Sequence, residues 1–361
     1  MTAHLFAPAK LDGLTLANHL VMAPMTRNRA IGNVPNALMA SYYGQRAGAG
    51  LIITEGVSPS PNGLGYPRIP GIFSAAQVAG WRLVTGAVHE KGGHVFVQFM
   101  HTGRVSHPAN LPAGAEVLAP SAVAAAGEIY TDASGLQPHP VPREMTAGEL
   151  RMTLGEFVQA ARNAVEAGFD GIELHSANGY LLEQFLSPFT NQRTDGYGGS
   201  VEARCRFVLE VAAAAAEAIG RDRVGIRLSP YGVFNDMSPY AEVEETYVHM
   251  ARELNRLGLV YLHLVDHSAI GAPPVDQGTV AKIREAFKGN LVLSGGYDRE
   301  RAEADLVSGR ADLIAFGRPF LANPDLVERL KAGAELNAPD MSTFYTPGET
   351  GYTDYETMPG R

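Results

Sequence analysis

The sequence predicts an α/β fold, a (β/α)8 TIM barrel, because short apolar runs alternate with longer helical patterns. Runs rich in Val, Ile and Leu are typical of strands buried on both faces, as in a parallel sheet. The 361 residues also suit one barrel domain over 1–361. A doubly wound sheet is less favoured because no G-x-G-x-x-G motif follows the first run. The eight predicted strands are 19–23, 51–54, 94–98, 171–175, 224–229, 260–265, 291–294 and 312–316.

Helix signals lie between the apolar runs. Ser74 with Gln77 forms a capping-box pattern for a helix that stops at Gly92-Gly93. Near the C-terminus, residues 323–325 (Asn-Pro-Asp) predict an N-cap followed by a proline at the first helical position, and Gly333 closes that helix. Further helices are expected over about 154–167, from after Ser200 to Gly220, and over 243–257 before Gly258.

Two segments lie outside the strand–helix alternation. Residues 11–14 (Leu-Asp-Gly-Leu) predict a short hairpin before the first strand, and we expect it to cap the bottom of the barrel. Residues 100–146 form a long, proline-rich connection after the third strand. A connection of this length inside a compact domain is usually a lid or a subdomain.

Composition limits the classes of partner. The net charge of −9, from 29 basic and 38 acidic residues, comes without a long basic run, which argues against nucleic acid. The single cysteine, Cys205, excludes an intrachain disulfide and a cysteine-ligated cluster, and we expect it to be a core residue. No segment has the length of a membrane span, and residues 1–6 lack a signal-peptide pattern, so the expected location is cytoplasmic.

Glycines follow the last two predicted strands. Gly295-Gly296 comes after the seventh strand and Gly317-Arg318 after the eighth. Glycine lets backbone N–H groups approach an anion closely, and these two loops are the usual phosphate site of a barrel. Arg318 adds a fork of donors. The glycines could instead serve only to form turns, but glycines after both of the last two strands, together with Arg318, favour a phosphate-binding site.

The ends of the other strands carry groups suited to a planar heterocycle. Gln98 can donate and accept at such an edge, and Arg227 brings a positive charge into an apolar barrel. A buried Arg needs an anionic partner, which is Glu55, Glu173 or a cofactor that becomes anionic on reduction. Together with the phosphate signal, these residues outline flavin mononucleotide (FMN).

The fourth strand leads into three polar side chains. His175 and Asn178 can donate hydrogen bonds, and the phenol of Tyr180 can release a proton. Two donors and an acid suit a substrate carbonyl that gains negative charge and then a proton. A structural histidine at a strand end is about equally common, so His175 alone does not decide between the two readings.

Motifs over nearly the whole chain resemble the Old Yellow Enzyme family of flavin-dependent ene-reductases. The likeness is closest to the branch with N-ethylmaleimide reductase, nitrate-ester reductases and oxophytodienoate reductases. The motifs that carry it are Ala23-Pro24-Met25-Thr26-Arg27, Gln98 with His101-Thr102-Gly103-Arg104, residues 175–182, residues 184–188 with Asn191, Arg193-Thr194-Asp195, residues 197–200, Gly317-Arg318-Pro319 and residues 351–355.

The resemblance implies roles by position. Thr26 would bond the flavin carbonyl beside the reactive nitrogen, Gln98 and Arg227 would hold the pyrimidine side, and His175 with Asn178 would bind the substrate oxygen. Tyr180 would protonate the substrate. The remaining cofactor residues are Pro24, Met25, Gly56, Gly295, Gly296, Gly317 and Arg318, and Tyr66, Met100 and Tyr352 would shape the substrate pocket.

The implied reaction uses NADPH, or NADH, to reduce the C=C bond of an electron-poor alkene carrying a carbonyl or nitro group. Reductive denitration of nitrate esters or nitro compounds is the alternative main activity. The protein would be a monomer or a homodimer. Two departures are Met100, where many relatives have tryptophan, and Ala203, where many have asparagine.

Two other classes of function are weighed against the ene-reductase. A metal-dependent barrel hydrolase or aldolase is disfavoured because His263 and His267, four apart, fall on a strand end and a loop rather than on a helix. A flavin-binding sensor would need no proton donor, so His175, Asn178 and Tyr180 weigh against it.

Overall fold

The computed structural model describes residues 3–359, so both predicted domain boundaries, 1 and 361, lie outside the described residues. Eight parallel strands pair in chain order and close into a barrel, which confirms the predicted fold class. Each overlaps its predicted segment. The strands are β1 (Leu20–Met22), β2 (Leu51–Val57), β3 (Val95–Phe99), β4 (Gly171–Ser176), β5 (Val224–Leu228), β6 (Tyr261–Val265), β7 (Asn290–Ser294) and β8 (Leu313–Phe316).

Helices surround the barrel, and three of the predicted ones are confirmed at their positions. Ser74 and Gln77 form the reciprocal capping box that starts α2, and Gly258 ends α6 in the left-handed conformation. The helices are α1 (Ala37–Gln45), α2 (Ala75–His89), α3 (Ala147–Glu166), α4 (Leu181–Leu186), α5 (Val201–Ile219), α6 (Val243–Leu257), α7 (Gln277–Ala286), α8 (Arg299–Val307), α9 (Arg318–Ala322) and α10 (Leu326–Ala332).

Two predicted helix starts were wrong. Helix α3 begins at Ala147 rather than near residue 154, because Thr146 and Glu149 form a second capping box. Helix α10 begins at Leu326, so Asn323 is not its N-cap. The Asn323 amide donates instead to the carbonyl of Pro319.

The predicted hairpin pairs Ala9–Leu11 with Leu14–Leu16 in antiparallel register. Leu11 and Leu16 are fully buried against barrel residues that include Val21 and Phe96. The hairpin therefore fills the bottom of the barrel with apolar side chains, as predicted, and leaves the opposite end for polar groups.

The long connection after β3 forms small paired elements, as the prediction of a subdomain requires. Leu118–Ala119 pairs with Arg143–Glu144, and Glu128–Thr131 pairs with Gly135–Pro138. Arg104 ties this connection to the loop after β5 by donating to the carbonyl of Asp236 at 2.8 Å.

Within the described range 3–359, no helix is long and apolar enough to cross a membrane. Cys205 lies buried within α5, as expected for a core residue, and burial raises the pKa of its thiol to about 12. Short 3-10 helices complete the connections: His4–Phe6, Ile31–Asn33, Pro61–Gly63, Pro108–Asn110, Arg221–Arg223, Phe234–Asp236, Ser268–Ile270 and Met341–Thr343.

Candidate active site

Register across neighbouring strands brings several polar side chains together in the upper half of the barrel. His175 on β4 lies beside Arg227 on β5, which lies beside His263 on β6. On the other side of β4, Glu173 lies beside Gln98 on β3. Because side chains alternate between faces along a strand, Glu173 and His175 share one face.

Gln98, Glu173, Arg227 and His263 form what we call the central cluster. The carboxylate of Glu173 accepts from the Gln98 amide at 2.8 Å and pairs with His263 Nδ1 at 2.8 Å. Burial tends to raise the pKa of Glu173, but His263 and Arg227 outweigh it and hold this pKa below its ordinary value. Of the two carboxylates considered as partners of Arg227, the structure therefore favours Glu173.

The other candidate, Glu55, lies elsewhere. Its carboxylate accepts from the phenol of Tyr43 at 3.1 Å, and burial raises its pKa to about 7. Arg227 is buried, yet its Nε has no hydrogen-bond partner in the protein. Leaving a buried cationic donor unpaired is costly, so this atom points to a ligand.

A cavity of about 520 Å³ opens at the carboxyl ends of the strands. Its volume lies within the range of about 300–1,000 Å³ that is typical of small-molecule sites. The structure brings nine predicted residues into its wall: Pro24, Met25, Thr26, Asn178, Arg227, Gly295, Gly296, Gly317 and Arg318.

The glycine loop after β7 requires glycine. Gly295 has φ +129°, and a Cβ there would lie 2.1 Å from the carbonyl oxygen of Asp266. Gly296 also has positive φ. Helix α9 begins at Arg318, directly after Gly317. Both loops therefore lie in the wall of the cavity, and their predicted role in holding a phosphate stays a prediction.

His175 and Tyr180 lie side by side but do not themselves line this cavity; Arg227, beside His175 on β5, does. Their rings are 5.0 Å apart in an edge-to-face arrangement. His175 is buried and its Nδ1 has no partner, while burial and the charge of Arg227 hold its pKa well below its ordinary value. His175 is therefore a neutral imidazole with unused hydrogen-bonding capacity.

Tyr180 keeps its proton at neutral pH. Burial raises the pKa of its phenol, against the opposing effect of a hydrogen bond with Tyr66 at 3.2 Å between the two hydroxyls. The predicted neighbours Tyr66 and Tyr180 are thus in contact, and Tyr180 remains available as a proton donor.

Gly56 and Met100 pack against each other rather than lining the main cavity. A Cβ on Gly56 would lie 2.5 Å from the Met100 sulfur. Met100 is buried in a small apolar cluster against which Tyr66 and Tyr180 pack. The predicted roles of Gly56 in cofactor binding and of Met100 in shaping the pocket stay predictions.

The prediction that Tyr352 shapes the mouth of the pocket was wrong. Its side chain is fully buried and stacks on Tyr42, with ring centroids 4.0 Å apart, beneath the guanidinium groups of Arg27 and Arg29. Another tail residue, Tyr345, lines the cavity instead.

Sequence reasoning missed several residues of the cavity wall. Phe234, His267 and Ile270 lie in the loops that follow β5 and β6. These residues could have been predicted, because the active site of a barrel is built from the loops at the carboxyl ends of its strands, and the loops after β5 and β6 are among them. His267 was considered only as a metal ligand, and within the described range no group of three or more His, Cys, Asp or Glu side chains is arranged to hold a metal.

Comparison with known proteins gives consistent matches. The profile of the NADH:flavin oxidoreductase / NADH oxidase family matches residues 4–337. The probable flavin mononucleotide-dependent alkene reductase of Leishmania infantum is 43% identical over 356 residues, 97% of this chain and 96% of that protein. The 12-oxophytodienoate reductase 1 of Oryza sativa subsp. japonica is 43% identical over 357 residues, 97% of this chain and 92% of that protein.

Solved structures agree over the full fold. Morphinone reductase superposes with a TM-score of 0.96 at 46% identity, covering 100% of this chain and 98% of the other. The complex of morphinone reductase with tetrahydroNAD gives a TM-score of 0.94 at 46% identity, covering 99% and 98% of the two chains.

Proposed function

The chain belongs to the NADH:flavin oxidoreductase / NADH oxidase family, as an FMN-dependent ene-reductase of the Old Yellow Enzyme type, and from this premise we propose how its site works. The proposed substrate is a small alkene conjugated to a carbonyl or nitro group. The electron donor is a reduced nicotinamide, NADPH or NADH. One observation carries the proposal: neutral His175 packs against protonated Tyr180, and Asn178 on the same loop lines a cavity whose wall also contains Gly296 and Gly317.

The residues present fit FMN. The orphaned Nε of buried Arg227 offers a positive donor to the cofactor's pyrimidine side, and the Gly295-Gly296 and Gly317-Arg318 loops offer backbone amides to its phosphate. Pro24, Met25 and Thr26 form the wall of the cavity after β1. Once bound, FMN supplies the hydride chemistry, and the chain supplies binding and proton transfer.

His175 and Asn178 bind the substrate oxygen. Both can donate to an oxygen whose negative charge grows during the reaction, and each such donor strengthens as the charge develops. Because the pKa of His175 is held low, its imidazole carries no charge of its own and acts purely as a hydrogen-bond donor. The pair thus polarises the alkene without protonating the oxygen.

Tyr180 delivers the proton to the α-carbon. Its phenol, whose pKa burial raises above the ordinary value of 10, is protonated at neutral pH, and the Tyr66 hydroxyl at 3.2 Å can stabilise the phenolate left behind. The predicted cytoplasmic location and the monomeric or homodimeric state stay predictions.

An anaerobic stopped-flow titration tests the proposal. NADPH is added to the FMN-loaded protein, then 2-cyclohexenone, while flavin absorbance is followed. We expect bleaching by NADPH and recovery on addition of the enone. Bleaching without recovery, against a panel of enones, maleimides and nitroalkenes, would refute alkene reduction and leave nitrate esters and nitro compounds as substrates.

A further inference from the structure

Asn178 is held in an unusual backbone conformation from two sides. Its φ of +59° lies in the left-handed region, which asparagine tolerates better than most residues. Its N–H donates to Ser229 Oγ at 2.9 Å, and its carbonyl accepts from the Asn235 amide at 2.6 Å. The direction in which the side chain leaves the backbone is therefore fixed.

The side-chain amide of Asn178 has one further contact, with His267. Asn178 Oδ1 lies 2.7 Å from His267 Nε2. An amide oxygen can only accept, so in this arrangement Nε2 carries the proton. The His267 ring is itself held against the ring of Phe234, with centroids 4.5 Å apart, in the cavity wall.

We propose that His267 is a positioning residue that fixes the orientation of the Asn178 amide. With Oδ1 engaged by His267, the Nδ2 hydrogens are the part of the amide left to donate to a substrate oxygen. An amide free to rotate by a half-turn would present Oδ1 instead, and two acceptor oxygens facing each other repel. This inference rests on the proposed function, in which Asn178 binds the substrate oxygen.

The state of His267 suits this role over a wide pH range. Burial, helped by the charge of Arg227, lowers its pKa to about 4, so the ring is neutral at neutral pH. A neutral imidazole has one N–H only, and the contact with an acceptor selects Nε2 for it. Protonation of the ring below pH 4 would retain the Nε2 donor, so the orientation of the Asn178 amide does not depend on whether His267 is protonated.

Three replacements of His267 separate the donor from the bulk of the ring. H267F keeps an aromatic ring against Phe234 and removes the donor. H267Q restores a donor near the position of Nε2, whereas H267E offers only an acceptor at neutral pH. Phenol binding to the FMN-loaded enzyme, followed by absorbance, reports on the oxygen-binding pair because a phenolate imitates the substrate oxygen.

We expect H267F to weaken phenol binding about tenfold and H267E to weaken it more, while H267Q stays within about threefold of the wild type. FMN content serves as the control for folding. If H267F fails to retain FMN, the phenol affinities of H267Q and H267E still test whether the donor at residue 267 matters. Equal affinities in these two variants would overturn the proposal.

A double-mutant cycle with N178A tests whether His267 acts through Asn178. In the N178A background, H267F should change phenol affinity by less than about twofold, since the amide to be oriented is gone. The same tenfold loss in both backgrounds would show that His267 acts on the ligand directly and would overturn the positioning role.

The proposed function is checked separately in the same preparations. The enzyme is reduced by light without any nicotinamide and mixed with 2-cyclohexenone. A wild-type enzyme that is reoxidised neither by 2-cyclohexenone nor by the panel of enones, maleimides and nitroalkenes contradicts the proposed function itself. A wild-type enzyme that is reoxidised, alongside an H267F variant with unchanged phenol affinity and unchanged reoxidation rate, contradicts only the role of His267.

Discussion

Two buried clusters that contain arginine differ in how completely the guanidinium groups of their arginines are hydrogen-bonded. In what we call the tail cluster, Arg27, Arg29 and Arg46 pack around Tyr42 and Tyr352. All three guanidinium nitrogens of each of these arginines donate within the protein, largely to backbone carbonyls. In the central cluster, Arg227 keeps an Nε without a partner.

This difference distinguishes the tail cluster, which stabilises the fold, from the central cluster, which can bind a ligand. The tail cluster uses its charges to fix the C-terminal segment, for example through Arg46, which donates to the carbonyls of Phe320 and Leu321 at 2.8 Å. The central cluster lies below an open cavity and leaves donors available to a ligand. Both clusters bury arginine, so burial alone does not separate them; what marks the central cluster is an unpaired arginine nitrogen on a residue that lines the cavity.

The largest effect is expected for Y180F, which removes the proposed proton donor beside the central cluster. Alkene reduction should slow by about 10²–10⁴-fold, while flavin reduction by NADPH stays near normal. Separate stopped-flow measurements of the two half-reactions check this. Y66F, which keeps Tyr180 and removes the hydroxyl 3.2 Å from it, is the matched control and should slow the reaction less. Equal loss of both half-reactions in Y180F would contradict the donor role.

The paired variants R46M and R227M test the contrast between the two clusters directly. R46M should lower the free energy of unfolding by about 3 kcal/mol, because it leaves buried carbonyls without donors. R227M should lower the stability of the protein without FMN by less, about 1 kcal/mol, because Gln98 and His263 still contact the Glu173 carboxylate and keep it compensated.

R227M should instead weaken FMN binding by about ten- to a hundredfold, through loss of a charge-assisted bond. Denaturant titrations without FMN and flavin titrations measure the two quantities. Equal losses of stability in R46M and R227M would remove the distinction between scaffold and site.

Two further carboxyl groups are buried outside the central cluster, Glu55 beside the tail cluster and Glu183 on α4, and burial raises the pKa of each to about 7. Glu183 accepts from Ser229, Tyr247 and the Gly179 amide behind Asn178. Because the folded protein holds this proton more tightly than the unfolded chain, Glu183 stabilises the fold fully below about pH 4.5. This contribution falls as pH rises through about 7.

The decline attributable to Glu183 should be about 3 kcal/mol, and E183Q should lack it. Unfolding free energies of the wild type and E183Q, measured from pH 4.5 to 8, check this. Curves that run parallel over this range would show that the carboxyl group is not protonated in the fold.

A smaller effect is expected for H175A, because it removes one of the two proposed donors to the substrate oxygen. Phenol affinity should fall about tenfold, measured by absorbance titration of the FMN-loaded enzyme. H263A, which alters the central cluster on β6, two strands from the strand that carries His175, should weaken phenol binding less. Unchanged phenol affinity in H175A would exclude His175 from oxygen binding.

The smallest effect is expected for M100W. Met100 is 1% exposed and fills the space beside Gly56, so an indole should cost about 1 kcal/mol of stability through overpacking. Displacement of Tyr66 and Tyr180 should shift substrate preference among bulky enones, with flavin content retained. M100L, which nearly preserves volume, is the control. Identical product profiles in M100W and the wild type would show that residue 100 does not shape the pocket.

Most of the fold could be predicted from the sequence because the signals are local. Runs such as Val95–Phe99 and Tyr261–Val265 are mostly apolar and buried on both faces, and glycines such as Gly258 mark helix ends. Errors arose where a second local signal competed. Thr146 with Glu149 starts α3 earlier than its apolar pattern indicates, and Asn323 bonds to Pro319 instead of capping α10.

The sequence by itself determined the barrel, the strand ends that carry polar groups and, through its motifs, the family. The carboxyl ends of all eight strands of a parallel barrel lie at one face, so these polar groups had to lie at the same face. Only the tertiary structure decided which side chains meet. Tyr352 is buried by its stacking on Tyr42, and His267 reaches Asn178 from a loop 89 residues away. Such contacts depend on how distant loops pack, and no local pattern of hydrophobicity or spacing encodes them.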